Sequence, residues 1–246
     1  MTDGELAAEL AGAAGELLLE RRAGLLVEGI TGRPLGVEGD LAANALICEA
    51  LRLARPDDGL LSEEEKDNPA RLAKSRVWIV DPLDGTREFS EERSDWAVHV
   101  ALAIDGVPVI GAVALPEQGQ VLRSDAPIAV PPAPARLRMV VSRTRPAAEA
   151  MAVAAALDAE VIPMGSAGAK AMAVVLGQAD IYLHSGGQYE WDSCAPAAVA
   201  LGHGLHVSRI DGSPLVYNQA DTYMPDLLIC RKEHAGEVLA QVAALT

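Results

Sequence analysis

"VWIVDPLDGTREF", residues 77–89, joins a β-branched apolar run to two aspartates three positions apart, with a proline, a glycine and a threonine set around them. The run predicts a strand that stops at Val80 and leaves Asp81 at its carboxyl end, where open α/β sheets commonly bind ligands. Pro82 restricts the turn. Asp81 and Asp84 would then converge with the Leu83 carbonyl, a set of hard oxygen donors of the kind Mg²⁺ prefers. Gly85 lets backbone approach a ligand closely, and Thr86 opens "TREFSEE", whose amides can face a phosphate if the segment is helical. The competing reading is an Asp-rich turn whose carboxylates only cap that segment.

Two distant segments bear on the choice. "LLSEEEKD" places Glu63, Glu64 and Glu65 after a short apolar run, and "EWDSCAPAAV" places Asp192 at the start of an apolar helix. Taken singly, the first reads as a solvated acidic loop and the second as an ordinary N-cap. Together with Asp81 and Asp84 they supply enough carboxylates for a two-cation site. "MGSAGAKAMAVV", from Met164, reads as a loop leading into a helix whose free amides can receive an anion. Within it Lys170 is either an anion ligand or an exposed helix lysine.

Around these segments the pattern changes once along the chain. Thr2 and Glu5 are spaced as a capping box for a helix over 3–24, ended by Gly24. "GDLAANALICEALRLARPDDG" predicts a second helix with Asp40 at its N-cap. "WAVHVALAID" and "VPVIGAVALP" are strands joined by a "DG" hairpin, and "QVLRS" extends the same antiparallel sheet. The proline-dense stretch 126–136 is the expected boundary between an α+β domain, 1–130, and an α/β domain, 131–246. Beyond it, strands at "LRMVVS", "AEVIPM" and "ADIYLH" alternate with helices, the first opened by Pro146. Strands near "LHVSRI" and "DLLICR" and a helix from about Glu233 follow, implying crossover connections.

Composition narrows the classes. In 246 residues, 35 Asp plus Glu against 20 Lys plus Arg give a formal charge of −15, which repels nucleic acid polymers and anionic membranes. No apolar stretch reaches the ~20 residues of a membrane span, and "MTDGELAAEL" lacks the features of a signal peptide. A cytoplasmic protein is expected. Cys48, Cys194 and Cys230 read as buried thiols, and the histidines as unsuited to a hard-cation site. Aromatics make up only 3% of the chain, so the core must be aliphatic.

"DPLDGTREF", preceded by "LLSEEE" and followed by "WDSCAPAAV", resembles the metal-dependent, lithium-sensitive phosphomonoesterases of the inositol monophosphatase superfamily over nearly the whole chain. "LSEE" and "GSAGAK" are most similar to its CysQ-type 3'(2'),5'-bisphosphate nucleotidases. The resemblance implies a sandwich of alternating helix and sheet layers, αβαβα. It implies that Glu63, Asp81 and the Leu83 carbonyl hold one Mg²⁺ with its activated water, and that Asp81, Asp84 and Asp192 hold a second. Such paired ions clamp the attacking and leaving oxygens of an in-line displacement, without a covalent intermediate. Thr86, hydrogen-bonded to Asp40, would activate the water, and the Gly85 and Thr86 amides would bind the reacting phosphate. Gly165, Ser166 and Lys170 would bind the nucleotide with its second phosphate, and His184 would contact the substrate.

The resemblance leaves Glu64 between a weaker third cation and solvent, and Glu65 to solvent. "PLGVEGD" lacks the Lys and Thr that relatives carry before the aspartate matched by Asp40, a departure that bears on the usual lid and its contribution to a third cation and leaves the two-cation centre intact. "SRTRP" stands where many nucleotidases have "SRSH", so Arg143 and Arg145 either meet a phosphate or lie on the surface. Tyr182 and Tyr189 are candidates for stacking on a base, with core packing favoured for Tyr182. The expected reaction is hydrolysis of the 3'-phosphate of 3'-phosphoadenosine 5'-phosphate, and of its sulfated analogue, by a homodimer. Alternatives are inositol monophosphatase or fructose-1,6-bisphosphatase activity, or a non-catalytic nucleotide or cation sensor on the same fold.

Overall fold

Strand alternation sorts the apolar side chains into three clusters, and these define five layers. In the computed structural model, which describes residues 1–245, α1 (Asp3–Val27) and α2 (Arg33–Ala54) cover one face of a sheet ordered β1-β2-β3-β4-β5. Its strands are β1 (Gly59–Ser62), β2 (Arg76–Asp84), β3 (Ala97–Ile104), β4 (Val107–Leu115) and β5 (Gln120–Arg123). A short helix, α3 (Thr86–Ser90), follows β2. The second sheet runs β7-β6-β8-β10-β9, with β6 (Arg138–Ser142), β7 (Glu160–Met164), β8 (Ile181–Tyr189), β9 (His206–Ser208) and β10 (Tyr223–Cys230). Between the sheets lie α5 (Ala167–Val175) and α6 (Glu190–Gly202), while α4 (Ala148–Ala156) and α7 (Lys232–Ala243) close the far face. This is the expected αβαβα sandwich. No helix among the described residues is long and apolar enough to cross a membrane.

The period of two in β2 aims the site. Trp78 and Val80 pack toward α1 and α2, whereas Val77 and Ile79 pack toward α5 and α6. Asp81 is the next residue of the second row and so belongs to the middle layer. Close approach of that layer depends on Gly111: a Cβ there would lie 2.6 Å from the Ala195 carbonyl oxygen.

Several boundaries differ from expectation. Helix α1 keeps its capping box but runs past Gly24 to Val27, because Leu25 is buried and a helical glycine costs only about 1 kcal/mol. Helix α2 begins seven residues before Asp40, with Pro34 in its first turn, so Asp40 is interior and buried rather than an N-cap. Gly36 and Gly39, before the expected N-cap, are helical contact points: a Cβ on Gly36 would lie 2.5 Å from Thr86 Cγ2, and one on Gly39 3.0 Å from Leu18 Cδ2. Strand β2 does not stop at Val80; it pairs with β3 through Asp84, with an irregularity between Asp81 and Asp84 that absorbs Pro82. The first sheet is mixed, since "GLLS" forms β1, parallel to β2. Helix α4 starts two residues after Pro146, and β8 continues past His184 to Tyr189. The "DG" hairpin is present, with φ of 50° at Asp105 and 79° at Gly106.

Candidate active site

Asp81, Asp84 and Asp192 meet in the middle layer, each offering an oxygen within 4.8 Å of the others. Asp81 and Asp84 arrive on β2, and Asp192 on the first turn of α6. Asp192 is the third residue of that helix rather than its N-cap, and its Oδ2 accepts the Tyr189 amide at 2.7 Å. Glu63 follows β1, held beside β2 by its amide, which donates to the Val80 carbonyl at 3.3 Å. Although Glu63 is exposed as a residue, its carboxyl lies near enough to the cluster to feel the charges of Asp192, Glu64 and Asp84.

Crowded acids show in the proton affinities. Burial, then the charges of Glu63, Asp84 and Asp192, pushes Asp81 well above the usual carboxylate range. Burial and Asp84 raise Asp192 to about 6, and desolvation with Asp192, Glu64 and Asp84 raises Glu63 to about 7. Asp84 differs. Burial alone would raise it, but His99 and donors from Ser166 and Gly168 hold it at about 2. Clustered hard oxygens whose protonated forms are favoured for want of positive charge fit a divalent cation.

Asp84 also caps α5. Ser166 Oγ donates to it, as do the Ala167 amide at 3.1 Å and the Gly168 amide at 2.5 Å. Ser166 Oγ in turn accepts the Ala169 amide at 3.0 Å, and the Gly165 amide donates to Asp95 Oδ2 at 2.6 Å. The amides expected to be free for an anion are therefore engaged, because a carboxylate of the chain itself occupies the helix N-terminus. Lys170 is not an exposed helix lysine. It is 4% exposed, and its Nζ donates to the carbonyls of Gly165, at 3.0 Å, and Ser166.

His99 is the residue that sequence reasoning missed. It is fully buried on β3, opposite Asp81 in the ladder. Its Nδ1 donates to the Trp191 carbonyl at 3.1 Å, and its Nε2 lies 3.2 Å from Asp84 Oδ2. Burial works against charge on the ring, but Asp84 outweighs it and holds the imidazole above its ordinary value. Gly168 makes room, since a Cβ there would lie 2.0 Å from His99 Nε2. Only the pairing register could have revealed this placement.

At the other side of the cluster, Thr86 Oγ1 lies 3.0 Å from Asp40 Oδ2 and 3.2 Å from the Leu83 carbonyl. Burial, then Glu64 and Glu63, pushes Asp40 up to about 8. Gly85 initiates α3 at φ 93°. The cluster opens into a cavity of about 580 Å³ whose lining includes Gly85, Gly165, Ser166, Lys170, Tyr182, His184 and Gln188, with Arg87, Arg143 and Arg145 at its walls. Tyr182 is buried core, its hydroxyl accepting from Gln188 Nε2 at 3.0 Å, whereas Tyr189 is 44% exposed and stacked on Trp191. His184 Nε2 donates to the Gly186 carbonyl at 3.1 Å.

Fold and site together define a layered α/β protein with a carboxylate-lined cleft. The chain belongs to the inositol monophosphatase family, whose model matches residues 5–245. It is 51% identical over 256 residues to 3'-phosphoadenosine 5'-phosphate phosphatase of Mycobacterium leprae, covering 98% of this chain and 94% of that protein. It is 31% identical over 202 residues to the 3'(2'),5'-bisphosphate nucleotidase CysQ of Escherichia coli K12, covering 75% and 80% of the two chains. Among solved structures, CysQ from Bacteroides thetaiotaomicron superposes with a TM-score of 0.78 at 26% identity, over 94% of this chain and 97% of that one. An inositol monophosphatase from Anabaena matches at 0.77 and 22% identity over 98% and 95%, a likeness of fold.

Proposed function

We propose that this chain is a Mg²⁺-dependent phosphatase that removes the 3'-phosphate of 3'-phosphoadenosine 5'-phosphate, and of its sulfated analogue. The observation that carries this reading is the union of Asp81, Asp84 and Asp192 with the Thr86–Asp40 pair at the head of a cavity walled by cationic side chains. The 51% identity to a phosphatase of that name supports the choice of substrate.

Glu63, Asp81, Asp84, Asp192 and the Leu83 carbonyl would hold two Mg²⁺ ions, which when bound neutralise phosphoryl oxygens and make water a stronger acid. The chain supplies proton transfer and position. The Thr86 hydroxyl has one proton and two acceptors within reach, so it passes that proton toward Asp40 Oδ2 as Oγ1 takes one from the attacking water. Asp40, at about 8 without cations, would move down toward neutral pH as positive charge enters the cleft. Amides of the first turn of α3 cannot be satisfied within the helix and are placed for the reacting phosphate. His99, Ser166 and the start of α5 keep Asp84 oriented and ionised.

The same reading places the enzyme in the cytoplasm as a homodimer acting on small phosphorylated substrates. The direct test is phosphate release by purified protein with Mg²⁺ from 3'-phosphoadenosine 5'-phosphate, inositol 1-phosphate and fructose 1,6-bisphosphate. The highest kcat/KM is expected for the nucleotide. Good turnover of inositol 1-phosphate with none of the nucleotide would overturn the assignment.

A further inference from the structure

The four cations of the cavity are not equally available. Arg143 is committed, its Nε donating to Glu88 Oε1 at 2.7 Å and its Nη2 to Glu91 Oε2 at 2.6 Å. Lys170 is fixed behind the loop by two carbonyls and lies 5.4 Å from the centre of the Tyr182 ring. Arg87 and Arg145 are exposed, and neither has an ion-pair partner among the described residues. Arg87 follows Thr86 directly and so stands at the reacting end. Arg145 lies on the loop after β6, whose turn is held by its own amide donating to Ser142 Oγ at 3.2 Å.

Arg145, Lys170 and His184 line the same cavity. Burial first, then the charges of Lys170 and Arg145, lowers His184 to about 4. The end of the cavity by His184 is therefore electropositive, in a chain whose net charge is −15. An unpaired guanidinium is suited to phosphate, which it meets with two parallel donors.

We propose that Arg145 is the specificity residue for the second, non-reacting phosphate of the substrate, with Lys170 contributing its field from behind the loop rather than a direct contact. The inference rests on the proposed activity and deepens it. It assigns the distinction between a nucleoside bisphosphate and a nucleoside monophosphate to one side chain outside the carboxylate cluster.

The test compares 3'-phosphoadenosine 5'-phosphate with adenosine 3'-monophosphate, which lacks the second phosphate, in wild type, Arg145→Ala and Arg145→Lys. The alanine variant is expected to lose about 10- to 100-fold in kcat/KM on the bisphosphate, through KM, in line with loss of a charge-assisted hydrogen bond. The loss on the monophosphate should be at least ~10-fold smaller than on the bisphosphate, and lysine should restore part of the loss on the bisphosphate. Equal losses on both nucleotides, or no loss on the bisphosphate, would place the second phosphate elsewhere and overturn the inference. Wild-type protein that releases phosphate from neither nucleotide would instead overturn the activity itself, and the inference with it.

Discussion

Replacing Asp84 by asparagine removes one charge from the cluster while keeping its shape. Cations supply several kcal/mol of transition-state stabilisation, so Asp84→Asn should lower kcat on the order of a thousandfold. A kcat within a few-fold of wild type would exclude Asp84 from the chemistry. His99 acts one step further out, touching Asp84 and the backbone beside Asp192. Partners of this kind typically change metal affinity about 10- to 100-fold. His99→Asn should therefore weaken Mg²⁺ binding by calorimetry more than it lowers the thermal midpoint in chelator, and equal effects on the two would mark a purely structural role. At this scale the carboxylates were legible because their residue type, spacing and neighbours all point to one chemistry. His99 was not legible, because a histidine within "AVHVALA" looks like an interrupted strand until the register sets it opposite Asp81.

Helix α2 shows why boundaries were harder to read than chemistry. Its glycines look like a connection in sequence, yet they are where α2 lies against α3 and α1. A methyl at Gly36 would strike Thr86 and Ser90. Overpacking costs about 1–3 kcal/mol, against roughly 1 kcal/mol regained from helix propensity. Gly36→Ala should therefore be only mildly less stable. A shift of Thr86 from Asp40 should still cost about 10- to 100-fold in turnover, since misplacement by ~1 Å is that expensive. The second sheet offers a complementary case in Asp180, fully buried and bonded to Arg138 Nε at 3.1 Å and Arg231 Nε at 2.8 Å. Burial would raise its carboxyl, but the two arginines outweigh burial and hold it below the ordinary 3.8. Its contribution is thus complete above pH 3.8 and is lost as pH falls through the lower folded value. Asp180→Asn should cost about 3–5 kcal/mol at pH 7 by denaturant unfolding, and less in strong acid. An equal loss at both pH values would remove the ionised form from the account.

At the scale of the whole molecule, repulsion among Asp81, Asp84, Asp192 and Glu63 opposes the cation-free fold, so a divalent ion should act as a structural ligand too. At 100 times its dissociation constant an ion adds about 2.7 kcal/mol. For a chain of this size that corresponds to about 5–10 °C in thermal midpoint. Scans with Mg²⁺ and with chelator would measure it, and coincident midpoints would show that the cluster holds no ion when folded. The alternation of strand and helix beyond residue 137 was readable from period alone. The insertion of α5 and α6 between two sheets was not, because a helix apolar on several faces does not say which surfaces will bury them. That insertion has a consequence for biosynthesis. Asp81 and Asp84 leave the ribosome more than a hundred residues before Asp192, and Ser166 and Gly168 come between them. The nascent chain therefore carries only part of the carboxylate cluster, on a sheet whose inner face is not fully covered until α5 and then α6 have been made. Acquisition of a divalent ion there should follow the synthesis of α6, and the ion would reward only a chain that has been made past Asp192.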